Sequence, residues 1–225
     1  MRIGITERGD AALSIQEWQS NIKTCDGAIL ITKNLTDEFI NAVQDVNCLV
    51  HATVTGWGGS AIEPNVPTWQ ESLIQYNKLR KVIPHEKIVL RIDPIIPTKE
   101  GIARALNIKD RFKHDRLRIS FLDLYPHVKK RFTEAGLKPP AYNFHAPLTQ
   151  RKQITTLFPR AEICGEPEMN CTGCISKKDL KTLGLTAELK IGSQRNACRC
   201  LAVKQELLSN RSQCAHGCLY CYWRN

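Results

Sequence analysis

From its N-terminus the chain alternates short, almost wholly apolar runs with stretches whose apolar residues recur at helical spacing, the pair repeating about every 25 residues. The pattern predicts strands at residues 2–6, 28–33, 48–56, 87–96, 116–124, 141–145 and 161–164. Helices are predicted between them, at 14–23, 36–46, 67–83, 99–107, 127–135 and 148–158. Thr36 and Thr98 stand where an N-cap is needed, and Gly136 where a helix should end. Strands apolar on both faces must be covered on both faces, as in parallel sheets with crossover helices. The expectation is an α/β fold, a complete or partial (β/α) barrel of mainly parallel strands, with a doubly wound open sheet as the alternative.

A chain of 225 residues suits one barrel or two small domains. The division expected is a barrel-like core at 1–166 and a cysteine-rich segment at 167–225 packed on the barrel mouth. A hydrophobic fraction of 42% against 24% charged residues argues for a sizeable core and against global disorder. No apolar run approaches the roughly 20 residues that span a bilayer, and residues 1–10 do not form a signal peptide, so a cytoplasmic protein without membrane contact is expected. Lys and Arg number 32 against 22 Asp and Glu, a formal charge of +10. That surplus would attract a polyanion or an acidic electron-transfer protein, and a merely solvated basic surface has the same composition.

In either closure, ligands sit beyond the carboxyl ends of the strands. The residues there are polar: Glu7, Arg8 and Asp10; Thr32, Lys33 and Asn34; Thr53, Thr55 and Gly56; Arg91 and Asp93; Ser120, Asp123 and Tyr125; Asn143 and His145; Cys164 and Glu166. Any one of them is explained by a strand end meeting solvent. As a set aimed at one mouth they describe a site.

Eight of the ten cysteines lie between Cys164 and Cys221, a crowding that points to metal in a reducing compartment. Cys25 and Cys48 stand apart in apolar surroundings and are expected to be ordinary buried thiols. The most specific motif is Cys214-Ala-His-Gly-Cys218-Leu-Tyr-Cys221. Three thiolates on a 4Fe-4S cubane leave one iron without a protein ligand, whereas four saturate it. An open iron can chelate the amino and carboxylate groups of S-adenosylmethionine. Gly217 lets the loop bend around a cluster, Tyr220 is placed to pack on an adenine, and His216 is expected to orient the loop. The competing uses are a zinc knob, since structural zinc takes four N or S ligands, and a four-cysteine cluster completed by one of the five upstream cysteines from Cys164 to Cys200. A second group, Cys164, Cys171, Cys174, Cys198 and Cys200, supplies four ligands with one to spare, enough for a second iron-sulfur cluster or a zinc ion. The neighbouring Arg195 and Arg199 favour an anionic cluster.

The C-terminal motif resembles the cluster loop of the radical S-adenosylmethionine superfamily, which has the same three-then-two spacing with an aromatic before the last cysteine. It departs in position: the superfamily ordinarily carries the loop after the first barrel strand, and here only Tyr222-Trp-Arg-Asn225 follows it. A C-terminal cluster arm is similar to that of the thiamine-pyrimidine synthase. Across nearly the whole chain, Thr6-Glu-Arg-Gly-Asp10, Thr32-Lys-Asn34, Thr53-Val-Thr-Gly56 with Glu63 and Pro67, Arg91-Ile-Asp-Pro94, Ser120-Phe-Leu-Asp123 with Tyr125, and Gln194-Arg-Asn-Ala-Cys-Arg-Cys200 resemble an uncharacterised bacterial family with a C-terminal cysteine cluster of this type. That resemblance implies Cys164, Cys174, Cys198 and Cys200 as ligands of the second site and leaves Cys171 as an extra thiol.

Together these features lead to an enzyme that reductively cleaves S-adenosylmethionine to a 5′-deoxyadenosyl radical, which abstracts hydrogen from a substrate. Arg91, Asp93, Asp123 and Tyr125 are the candidates for holding substrate or cofactor, Lys33 and Asn34 for a carboxylate, and Thr55 with the Gly56-Trp-Gly-Gly59 run for the nucleoside. An electron donor such as a flavodoxin or ferredoxin is implied. The net charge favours a nucleotide or nucleic-acid base as substrate, with a metabolite or peptide as the other class. Two other classes of function use the same residues: an iron-sulfur electron-transfer or regulatory protein, and a zinc-stabilised nucleic-acid-binding protein.

Overall fold

The computed structural model describes residues 1–186, 190–192, 197–209 and 214–224; Arg195, and residues 194–196 of the motif ending at Cys200, lie outside them. Seven parallel strands form one curled sheet, a half-barrel. The strands are β1 (Ile3–Ile5), β2 (Gly27–Thr32), β3 (Cys48–Thr53), β4 (Ile88–Ile95), β5 (Leu117–Phe121), β6 (Glu162–Ile163) and β7 (Lys204–Glu206), in spatial order β6-β5-β4-β3-β2-β1-β7. Doubly wound sheets reverse direction at a switch point. Here β1 to β6 lie side by side in chain order, as barrel strands do, while β7 adds to the far side of β1 with Ile3 opposite Lys204.

Helices α1 (Ile15–Asn21), α2 (Asp37–Ala42), α3 (Trp69–Val82), α4 (Lys99–Arg111), α5 (Pro126–Glu134), α6 (Leu148–Thr156) and α7 (Lys177–Thr182) complete the regular structure. The Thr36 and Thr98 hydroxyls accept from the backbone N–H groups of Phe39 and Gly101 at 3.1 Å each, so both expected N-caps are present. Gly136, at φ +70°, follows the end of α5. The strand expected at 141–145 does not form. Pro139, Pro140 and Pro147 bracket it and fix φ at its flanks; Tyr142 donates its hydroxyl to Leu122 O at 2.6 Å and Phe144 O accepts from Leu124 N at 2.9 Å. Among the described residues no helix is long and apolar enough to cross a membrane.

Side chains alternate between the two faces of the sheet. Leu30, Val50, Leu90, Ile92 and Ile119 pack outward against the helices, where Trp18, Phe39, Tyr76, Phe112 and Phe158 complete the larger core. Cys48 belongs to this core, and burial pushes its thiol up to about 12. On the other face Ile3, Ile5, Ile29, Ile31, Leu49 and Val89 meet Ile175, Leu180, Leu183 and Leu201 of the cysteine-rich segment. That segment therefore covers the face that a closed barrel would turn inward, and it also supplies β7.

Towards the carboxyl ends the same inner face turns polar. Parallel register sets Thr53 beside Arg91, Arg91 beside Arg118, and Arg118 beside Glu162. Arg118 is fully buried; its guanidinium contacts Glu162 Oε2 at 2.5 Å and Asp179 Oδ2 at 3.3 Å, while Arg116 contacts Glu162 Oε1 at 3.0 Å and Asp179 Oδ1 at 2.7 Å. Asp179 also closes a capping box with Ser176 at the start of α7. Through these ion pairs the segment that carries Cys174 is tied to β5 and β6. His51, buried beside Arg118, is held well below the usual imidazole range by burial and then by that guanidinium.

Asp179→Ala leaves two buried guanidinium groups short of a partner and should cost about 3–5 kcal/mol of unfolding free energy in urea denaturation at neutral pH. Glu162 is held at about 2, because Arg118 and Arg116 overcome the opposing effect of its burial. A depressed carboxylate contributes stability above its unfolded value that disappears as pH falls through its folded value. Stability should therefore fall as acid is added from about pH 4.5 towards 2, and Glu162→Gln should flatten that part of the profile.

Candidate metal centre

The carboxyl ends of β1 to β6 open into one cavity of about 200 Å³. Glu7, Asp10, Lys33, Arg91, Asp93, Ser120, Asp123 and Glu166 line it, together with Cys164, Cys174, Cys198 and Cys200 of the second group and Cys214, Cys218 and Cys221 of the C-terminal motif. Both cysteine groups thus face the strand-end residues, and they face them across the same space.

The second group is built on a close backbone crossing. A Cβ at Gly173 would lie 2.4 Å from Cys200 N, so only glycine lets the chain bearing Cys174 lie this closely against the chain bearing Cys200. Cys174 N donates to Cys200 Sγ at 3.1 Å, and Cys164 Sγ is 3.3 Å from Cys174 Sγ. Ligand atoms of Glu7, Cys174 and Cys200 all lie within 4.8 Å of one another, an arrangement able to hold a metal ion. Hydrogen bonds from Cys164 and Cys200 hold Cys174 well below the usual thiol range despite burial, and Arg91 and Arg118 act in the same direction. Burial raises the Glu7 carboxyl to about 7, reinforced by Cys174 and opposed by its ion pair with Lys204 and by Arg91. Cys171 is engaged elsewhere: its thiol donates to Glu166 O at 3.0 Å and accepts from Glu166 N at 3.2 Å.

The C-terminal loop is held from several directions. Asp10 accepts from Ala12 N at 2.9 Å, Thr32 Oγ1 at 2.6 Å and Lys33 N at 2.6 Å, and pairs with His216 Nε2 at 2.8 Å. The other ring nitrogen of His216 lies 3.1 Å from Asn65 O, so both nitrogens are committed and His216 orients the loop. Its pKa is raised, the pairing with Asp10 outweighing burial. Asn65 Nδ2 donates to Ala215 O at 2.8 Å, and Leu219 N donates to Ile62 O at 3.0 Å. Arg131 on α5 donates to Leu219 O at 2.9 Å and to the carbonyls of Cys221 and Arg224. Gly217 takes φ +67°, which a side chain rarely adopts.

Tyr220 is buried with its hydroxyl on Glu63 and 2.7 Å from Lys33 Nζ, which also contacts Glu63 Oε1 at 2.9 Å. Glu63 and then Cys218 hold the Lys33 ammonium above its usual range, against the effect of burial. Burial pushes Cys218 up to about 12, with Lys33 opposing.

The remaining site candidates divide. Arg91 pairs with Asp93, whose other oxygen accepts from Ser120, and Asp123 contacts His145 Nδ1 at 2.8 Å. Tyr125 lies behind the cavity wall, stacked on Tyr222 with ring centroids 5.9 Å apart, and Tyr222 lines the cavity. Asn34, Thr55 and Gly56 do not line it. Asn34 N donates to Thr32 Oγ1 at 2.9 Å, Thr55 donates to Glu63 Oε2 at 2.7 Å, and Gly56 O accepts from Arg104 at 2.8 Å. A Cβ at Gly58 would sit 1.9 Å from Pro67 O, so loop-on-loop packing accounts for glycine there. Glu63 and Arg131 carry no assigned role in the sequence pattern. Glu7 is visible there as a strand-end acid, without a hint of its approach to Cys174.

A family model described as a domain of unknown function, DUF1848, matches residues 11–223. No curated protein and no solved structure matches the chain.

His216→Ala should destabilise the protein by about 2–3 kcal/mol, because Asp10 loses a buried partner. Urea denaturation of the variant beside the wild type at neutral pH measures the loss.

Proposed function

The chain belongs to the DUF1848 family, and from that premise we propose that it is a radical S-adenosylmethionine-type enzyme whose cluster is held by Cys214, Cys218 and Cys221. The observation that carries this reading is the donor set: three thiols of one short loop face the cavity while the one histidine between them is turned to Asp10 and Asn65. Three soft ligands fit a 4Fe-4S cluster with one open iron. When bound, such a cluster with S-adenosylmethionine supplies a 5′-deoxyadenosyl radical for hydrogen abstraction.

The protein's own residues hold, orient and enclose. Arg131 donates hydrogen bonds to the Leu219 and Cys221 carbonyls and so fixes the course of the loop, while Lys33, beside Cys218, offsets negative charge there. Trp57, Ile62, Val66, Leu122, Leu124 and Phe132 pack around Cys218 and Tyr220 and keep water from that side. Arg91, Asp93 and Ser120 form one polar wall, suited to fixing amino, carboxylate or hydroxyl groups of cofactor and substrate. Asp123 lines the same cavity and is fixed by its contact with Nδ1 of His145, which is not part of the lining.

For the substrate, the cavity is less basic than the chain: Glu7, Asp10, Asp93, Asp123 and Glu166 line it against Arg8, Lys33 and Arg91. Such a lining suits a nucleobase or another neutral group better than a run of phosphates. The net charge of +10 acts on the outer surface, where it draws an acidic electron donor or the backbone of a polyanion.

Anaerobically reconstituted protein given S-adenosylmethionine and dithionite should yield 5′-deoxyadenosine by chromatography, and Cys218→Ala should yield none. A full, reducible cluster in the wild type that gives no product with a broad panel of nucleosides present would count against the proposal.

A further inference from the structure

We propose that the buried ion pair of Lys33 and Glu63 sets the reduction potential of the iron-sulfur centre at Cys214, Cys218 and Cys221, Lys33 raising it and Glu63 lowering it. The inference rests on the reading of that loop as a cluster site and gives two side chains outside the loop a part in it. Lys33 follows β2, and its backbone N–H is fixed on Asp10 at 2.6 Å. From there its ammonium reaches the loop: Nζ donates to Tyr220 Oη at 2.7 Å and to Glu63 Oε1 at 2.9 Å. Tyr220 stands between Cys218 and Cys221 in the chain, and Lys33, Tyr220 and the three thiols line one cavity. Glu63 is buried; Oε1 also receives the Tyr220 hydroxyl, and Oε2 receives Thr55 Oγ1 at 2.7 Å. Both of its oxygens are engaged, so the pair is held in place beside the loop. A carboxylate of the cofactor was the expected partner of Lys33, and the structure supplies one from the protein itself.

The surroundings make these charges count. Trp57, Ile62, Val66, Leu122 and Leu124 pack around Cys218 and Tyr220, and in an apolar setting a charge acts more strongly than it does in water. The potential of a cluster follows its net charge, its hydrogen bonds and its exposure. Reduction adds one negative charge, so a neighbouring cation favours the reduced form and a neighbouring anion opposes it. Apart from burial, Lys33 and then Glu63 act most on the Cys218 thiol, and they act in opposite senses. The other charges that meet the loop are directed elsewhere: Asp10 is paired with His216, and Arg131 donates to the carbonyls of Leu219, Cys221 and Arg224. The Lys33–Glu63 pair thereby decides how strong a reductant the centre requires.

The test is a potentiometric titration of the full, anaerobically reconstituted chain read by electron paramagnetic resonance, following the signal that Cys218→Ala removes. Lys33→Met should lower the potential and Glu63→Gln should raise it, with the double variant between them. Lys33→Arg, which keeps the charge, should stay near the wild type. Loosened packing alone does not give shifts of opposite sign. If Lys33→Met does not fold, Glu63→Gln beside Lys33→Arg decides. An unchanged potential in a folded single variant, or a shift of the opposite sign, would overturn the assignment. An unchanged potential in Lys33→Met together with a lowered affinity for S-adenosylmethionine would instead mark a lysine that holds the cofactor's carboxylate. Protein with no signal that depends on Cys218 would overturn this inference and the cluster reading together. Potentials that shift as expected without formation of 5′-deoxyadenosine would contradict the S-adenosylmethionine reading alone.

Discussion

One buried carboxylate joins the beginning of this chain to its end. Asp10 follows β1, receives the Thr32 hydroxyl and Lys33 N–H at the end of β2, and faces His216 in the C-terminal loop. A carboxylate so far from water is tolerable only with its lone pairs occupied. The requirement works in both directions: the loop positions the imidazole, and the imidazole makes the buried charge acceptable. Because His216 lies between Cys214 and Cys218, the placement of those thiols follows from where Asp10 sits on the sheet.

The half-barrel makes a second demand. An open parallel sheet exposes an apolar inner face that a closed barrel would fill with its own side chains. Here the cysteine-rich segment fills it, with Ile175, Leu180, Leu183 and Leu201 against β1 to β4. The buried ion pairs of Arg116 and Arg118 with Glu162 and Asp179 fix where along the strands this cover sits. Fold and candidate metal site are consequently coupled, since the segment that completes the core also carries Cys174 and Cys200.

How far the structure was legible in the sequence depended on which force shaped each part. Six strands showed as largely apolar runs; burial on both faces leaves that mark most plainly in β1, β2 and β3, while charged residues interrupt β4, β5 and β6. The run at 141–145 mixes Tyr and Phe with Asn and His and forms no strand; prolines flank it, and single ties to Leu122 and Leu124 hold it. β7 is Lys-Gln-Glu, an edge strand with no apolar signal, and α7 is a single capped stretch too short for periodicity. Strand-end polarity did point to the cavity, and Arg91, Asp93, Asp123 and Lys33 all line it. Asn34, Thr55 and Gly56 share that polarity but serve local turns and the anchoring of Glu63, a distinction that only the course of the loops decides. Arg131 acts on backbone carbonyls, which leave no trace in residue type, and Glu7 meets Cys174 only because β1 and the C-terminal segment share one edge of the cavity.

The central claim is that three cysteines leave one iron open to S-adenosylmethionine. Electron paramagnetic resonance of the dithionite-reduced cluster, recorded with and without S-adenosylmethionine in a variant lacking the second metal site, reads that open position directly. The account predicts a shifted spectrum on addition, with hyperfine coupling to nitrogen-15 in a labelled amino group. A spectrum that stays the same at saturating S-adenosylmethionine would contradict it and mark the C-terminal centre as an electron-transfer or structural site.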